Sequence, residues 1–129
     1  VISYPLATNV GTGTGAALSG MTPVLGGLEG AMRLAVVVSV DAVGATPALS
    51  YQVEGSMDGT NWTALALVSM DATVASSSAA VAVPSPAAGV KSVRYVDGLD
   101  KRFFKAIRIN ATANTNVTNW DAELQRVDQ

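Results

Sequence analysis

The side chains best placed to meet a ligand fall in one short stretch: Gln52, Asp58, Asn61 and Trp62. An indole ring stacks on a sugar face while amides and a carboxylate take its hydroxyls, so this set is a candidate ligand-binding group for carbohydrate. A plainer reading competes with it. The chain has two Trp, three Tyr and two Phe, and a core of this size needs large residues, so Trp62 weighs toward core or hairpin packing.

Acid–base chemistry without histidine needs paired carboxylates, and Asp58, Asp97, Asp100, Asp121 and Glu123 are the candidates. Asp58 and Asp97 each precede a glycine, as turns demand, while Asp121 and Glu123 fall on the polar side of an alternating strand. Glu54, Asp58, Asp97 and Asp100 offer calcium-type oxygens, but no D-x-D-x-D-G run arranges them. Gly11-Thr12-Gly13-Thr14-Gly15-Ala16 fits the loose G-x-G-x-x-A form of a dinucleotide loop. That device needs a buried strand before it and a helix N-terminus after it. Pro5 stands before it, and Gly20 and Pro23 break any following helix. Lys101, Arg102, Lys105 and Arg108 form a basic cluster, read as a solvated face or as a partner for acids of a neighbouring subunit. The expectation is no enzyme, no catalytic residue, no cofactor and no metal.

Composition narrows the classes further. With no His and no Cys, Ser–His and Cys nucleophiles, Cys/His zinc sites and haem or iron–sulfur ligation are excluded. A net charge of -2 and a pI near 4.8 argue against a nucleic-acid partner, which needs clustered cations. No membrane is expected either, since the longest apolar run, Leu34–Val40, is interrupted by Ser39 and is far too short to span a bilayer. Val1–Pro5 carries neither the charge nor the apolar run of a signal peptide. The sequons at Asn61, Asn110 and Asn116 are a mild excess for a Thr-rich chain.

The elements that would position these residues are strands. Seven of the twelve glycines lie in the first 30 residues, so residues 1–29 read as an extended Gly-rich arm, with one short strand around Ala16–Ser19. The arm is too apolar for a solvated tail and must lie on its own domain or on a neighbour. Residues 30–129 read as one β-sandwich domain. Leu34, Val36, Val38 and Val40 share a face; Leu49, Tyr51 and Val53 alternate with polar residues. Asp58-Gly59 turns the chain into Trp62–Val68, which is apolar on both faces and so is either doubly buried or bulged. Short strands follow near Ala79–Val83 and at Val90–Val96. Phe103–Ala111 offers Phe104, Ile107 and Ile109 to the core, and Thr118, Trp120, Ala122 and Leu124 point one way in the last strand. Seven or eight strands with short connections and no helix predict an all-β, antiparallel β-sandwich, jelly-roll-like, with an Ig-like arrangement as the alternative.

The stretch Tyr51–Leu65 resembles a hairpin of small β-sandwich proteins of the form VxGSxDGxNWxxL. Arg102–Ile109 looks like their RYxRxxI/V strand, and Trp120–Val127 is similar to their closing strand. This order is found in discoidin-like jelly rolls and in tailed-bacteriophage virion proteins of the head-decoration and tail-associated kinds. True discoidin domains carry ligand-binding aromatics ahead of the hairpin. Here that region holds no Trp or Phe, so their sugar- and lipid-binding residues have no counterparts. The resemblance therefore implies a virion structural protein of the decoration or cement type. Its expected partners are further copies of itself, a trimer being favoured, and the major capsid protein or other virion subunits. Its expected location is the virion, assembled in the host cytoplasm. The composition, 49% hydrophobic with a mean hydropathy of +0.33, agrees with surface buried by association. The alternative is a carbohydrate-binding module or tail-associated adhesin using the Trp62 hairpin.

Overall fold

A computed structural model describes residues 2–28, 33–69, 77–97 and 104–127. Every element among them is a strand: β1 (Ile2–Val10), β2 (Val24–Leu25), β3 (Arg33–Ser56), β4 (Thr63–Ala64), β5 (Leu67–Ser69), β6 (Val81–Ala82), β7 (Lys91–Val96) and β8 (Ala106–Val127). All pair antiparallel in one sheet of order β1-β8-β3-β7-β5, with β2 on β8 and with β4 and β6 on β3. The fold is all-β and sandwich-like.

Two long strands carry it. The apolar rows expected as separate short strands, at Leu34–Val40 and Leu49–Glu54, are two halves of β3. Ile107–Ala111 and Trp120–Leu124 are likewise two halves of β8. Both halves of each strand feed one core cluster, so each strand must bend. The sequence shows how: the positions that join the core cluster are even-numbered from Leu34 to Val40 and odd-numbered from Leu49 to Val53. Such a switch of parity keeps the apolar side inward only if residues are inserted at the corner. The register shifts between Val40 and Ala48 supply them, with Ala48 opposite Thr115 and Val43 opposite Val117. Thr46 and Asn116 take left-handed conformations there, with φ of 45° and 54°. Asn116 Nδ2 donates to the Ala45 carbonyl. The Asn114 amide accepts from the Val117 N–H at 3.0 Å and donates to its carbonyl at 3.1 Å, which ties the two sides of the bend together. At this bend Thr118 leaves the expected inward row and is exposed, while Val117 takes the interior.

The Trp62–Val68 ambiguity is settled by a change of partner. Thr63–Ala64 pairs with the second half of β3, whereas Leu67–Ser69 pairs with β7 beside the first half. The segment crosses from one layer to the other, so neither face is consistently outward.

The boundary at residue 29/30 does not separate an arm from a domain. Ile2 to Val10 pairs with Arg126 to Trp120, Gly15 bridges to Ala111, and Val24–Leu25 pairs with Ile107–Ala106. The N-terminal segment thus follows β8 along its whole length. It contributes Leu6, Ala7, Val10, Met21, Val24 and Leu28 to the core. The physical reason is that β8 has an edge that β3 leaves open, and an apolar segment lowers its free energy by filling it. The expected strand at Ala16–Ser19 is absent. Residues beyond it fold back on β1, with Thr8 N–H donating to Gly20 O at 2.8 Å. A Cβ at Gly20 would lie 2.0 Å from the Thr8 carbonyl oxygen, and its φ is +86°, so only glycine fits. Phe103 and its neighbours from 98 lie outside the described residues; Phe104 is half-buried and seals the end of the core over Gly55, where a Cβ would come within 2.6 Å of its ring.

Candidate functional site

The Trp62 hairpin forms as expected, and its polar groups are used within it. Ser56 Oγ donates to Asp58 Oδ1 at 3.0 Å and accepts from Gly59 N–H at 2.8 Å. Asp58 Oδ1 also accepts from the N–H groups of Thr60 and Asn61, each at 2.8 Å, and Oδ2 accepts from Asn61 Nδ2 at 2.6 Å. These donors, the Asn61 and Thr60 amides foremost, hold the Asp58 carboxyl well below the usual carboxylate range. The loop is a self-capped Asx turn, and Gly59 with φ of +80° completes it.

Gln52 lies on the outer face of β3 and donates from Nε2 to the Ser78 carbonyl at 3.2 Å. Trp62 is half-buried, outside the core, and its ring is covered by the Arg108 guanidinium, whose carbon sits 4.2 Å from the ring centroid. Arg108 is oriented in turn by Glu54, Nε to Oε1 at 2.8 Å. The ion pair is partly exposed, 29% and 14% for the two side chains, so pairing and stacking each contribute on the order of 0.5–1 kcal/mol. Of the four sequence candidates, Gln52 and Trp62 share the outer face of the second half of β3, and Asp58 and Asn61 fold onto their own turn.

Alternation alone placed Glu54 and Arg108 on polar faces. Their pairing follows from the register that sets Glu54 opposite Arg108, which no local sequence signal specifies. Arg108 accordingly leaves the basic cluster; Lys105 is exposed, and Lys101 and Arg102 lie outside the described residues. Trp120 is fully buried, as its alternation implied.

Among the acid–base candidates Asp121 and Glu123 line one groove, which Asp58 and Asp97 do not. Asp121 Oδ1 accepts from the Asn9 N–H at 2.7 Å, Glu123 Oε1 accepts from Gln125 Nε2 at 2.7 Å, and Asp97 is exposed in its turn. Asp100 lies outside the described residues. The calcium candidates also stay apart, Glu54 on Arg108 and Asp58 in its loop, and no group of three or more acids suited to a metal occurs among the described residues. The Gly11–Gly15 run lies along the bend of β8, with Gly15 N–H donating to Ala111 O at 2.8 Å. No helix follows it, so its amides have no phosphate-cradling geometry.

An open groove of about 420 Å³ crosses β1, β8, β3 and β7 on the outer side of the first layer. Val37 floors it, and Pro5, Lys91, Asp121 and Glu123 stand along it. Beside it, Asp41 is raised above the ordinary carboxylate range by its contact with Asp121, with Lys91 acting the other way.

Comparison with protein-family models, with curated proteins and with solved structures returns no match.

Proposed function

We propose that the protein is a non-enzymatic structural subunit of a virion, of the capsid decoration or cement type. The observation that carries this reading is how the hairpin's polar groups are used. Asp58, Asn61 and Gln52 are bonded within the chain and one face of Trp62 is covered by Arg108, so the side chains that would serve a ligand serve the fold instead. A protein built this way acts through its outer surface. The groove floored by Val37, together with the exposed Ile2, Leu25 and Met57, offers that surface to further copies and to the major capsid protein. The N-terminal segment lies on its own sheet and acts by stiffening the subunit, so capsid contact falls to the faces rather than to a reaching arm.

Co-sedimentation of the full chain with tailed-phage capsids stripped of decoration tests the proposal. Saturable binding, with raised thermal resistance of the particle, is expected. Absence of binding across such capsids, with a Trp62 fluorescence shift on adding glycans, would overturn it in favour of the carbohydrate-binding alternative.

A further inference from the structure

Two surface patches of complementary character stand on different layers. The first is the groove over Val37. The register sets Pro5, Glu123, Val37 and Val93 in one row across the sheet, and Asp121, Ser39 and Lys91 in the next. Paired residues share a face, so Asp121 and Lys91 flank Ser39 and offset one another, whereas Glu123 shares its row with apolar residues alone. Glu123 Oε1 accepts from Gln125 Nε2 at 2.7 Å, and no described residue gives it an ion pair. The groove thus sets two carboxylates and one ammonium beside an apolar floor.

The second patch is the end of the second layer farthest from the bend. Lys105 N–H donates to Ser56 O at 2.8 Å, and Gly26 N–H donates to Lys105 O at 2.6 Å. Lys105 therefore lies between Leu25-Gly26 on one side and Ser56-Met57 on the other. Leu25 and Met57 are 63% and 67% exposed, two of the three large apolar side chains exposed among the described residues. Lys105 is exposed between them and forms no ion pair with a described residue.

We propose that the Leu25–Lys105–Met57 end of one copy docks in the Val37 groove of the next, setting Lys105 against Glu123. The contact rests on the assembly reading above and specifies which surfaces meet. A closed ring of three needs two different patches on each subunit, because a two-fold contact uses one patch twice. These two answer each other: a cation between exposed apolar side chains meets a carboxylate beside an apolar floor. They belong to different layers, so a subunit does not fill its own groove. The complementary surface is carried by this chain itself, which singles out a further copy as the occupant. Leu25 and Met57 supply the apolar burial, and the lysine fixes orientation.

Light scattering behind size exclusion, applied to charge reversals in the full chain, tests the contact. Lys105→Glu and Glu123→Lys should each raise the concentration at which the oligomer half-dissociates by about tenfold or more. Circular dichroism should show both variants folded, since neither side chain belongs to the core. The double variant restores opposite charges across the contact and should recover most of the loss. A general effect of net charge cannot give that recovery. A wild type that is monomeric at every concentration overturns the assembly reading and the contact with it. An oligomer that stops at two copies, one unmoved by either reversal, or a double variant as weak as the singles overturns the contact alone.

Discussion

Trp62 and Tyr51 lie on opposite sides of the second half of β3, Trp62 over its outer face and Tyr51 in the core. On the outer face Arg108 lies over Trp62 and is completed by Glu54. In the interior the Tyr51 ring is fully buried, and burial holds its phenol above the ordinary tyrosine range. The outer group is closed: each member has its partner, and removing one exposes another. The inner ring is fixed by apolar packing in the core cluster. An exposed, ligand-like cluster is thus scaffold, and the alternating row behind it is core.

Truncating the two aromatics should give the largest and most unequal losses. Tyr51→Ala removes a fully buried ring and should cost about 3–5 kcal/mol in urea unfolding. Trp62→Ala, on a half-buried outer face, should cost about 1–2 kcal/mol. Equal costs would mean that Trp62 is core after all.

Removing only the polar partners sharpens it. Glu54→Gln leaves Arg108 unpaired and should destabilise by about 0.5–1 kcal/mol, after allowance for its solvent exposure. Tyr51→Phe removes only a buried hydroxyl and should change stability by less than about 0.5 kcal/mol or raise it. A large loss in Tyr51→Phe would mean that the hydroxyl is hydrogen-bonded within the core.

The smallest effects concern carboxylates of the same two kinds, satisfied and unsatisfied. The folded Asp58 carboxyl is depressed by its donors, so its contribution is present above the unfolded value and is lost as pH falls through the folded one. Asp58→Asn should therefore flatten the acid side of the stability profile. Asp41 is raised from 3.8 by Asp121. Between 3.8 and its higher folded value the native state binds the extra proton, so stability there increases as pH falls. Asp41→Asn should abolish that increase and leave the protein slightly more stable at neutral pH. Parallel pH profiles for the two variants would contradict this assignment.

Much of the fold was legible in local pattern. The alternation at Leu34–Val40, Leu49–Val53 and Trp120–Leu124 names buried positions that are buried, and Asp58-Gly59 names a turn that forms. What alternation does not encode is continuity. The corner through Ala45, Thr46 and Pro47 reads as a break between strands, yet β3 passes through it, held at Ala45 by Asn116, 71 residues away. The N-terminal segment misled for a related reason. Its glycines read as freedom, but Gly20 is there because Thr8 leaves no room for a side chain. At the hairpin, the residue types suggested a ligand, and only the register of β3 on β8 reveals that Arg108 covers the Trp62 ring.

The claim that the chain is an assembly subunit is tested most directly by its mass in solution, measured by light scattering behind size exclusion over a wide concentration range. A discrete homo-oligomer, a trimer, that persists on dilution is expected. A single 13.1 kDa species at every concentration would contradict it.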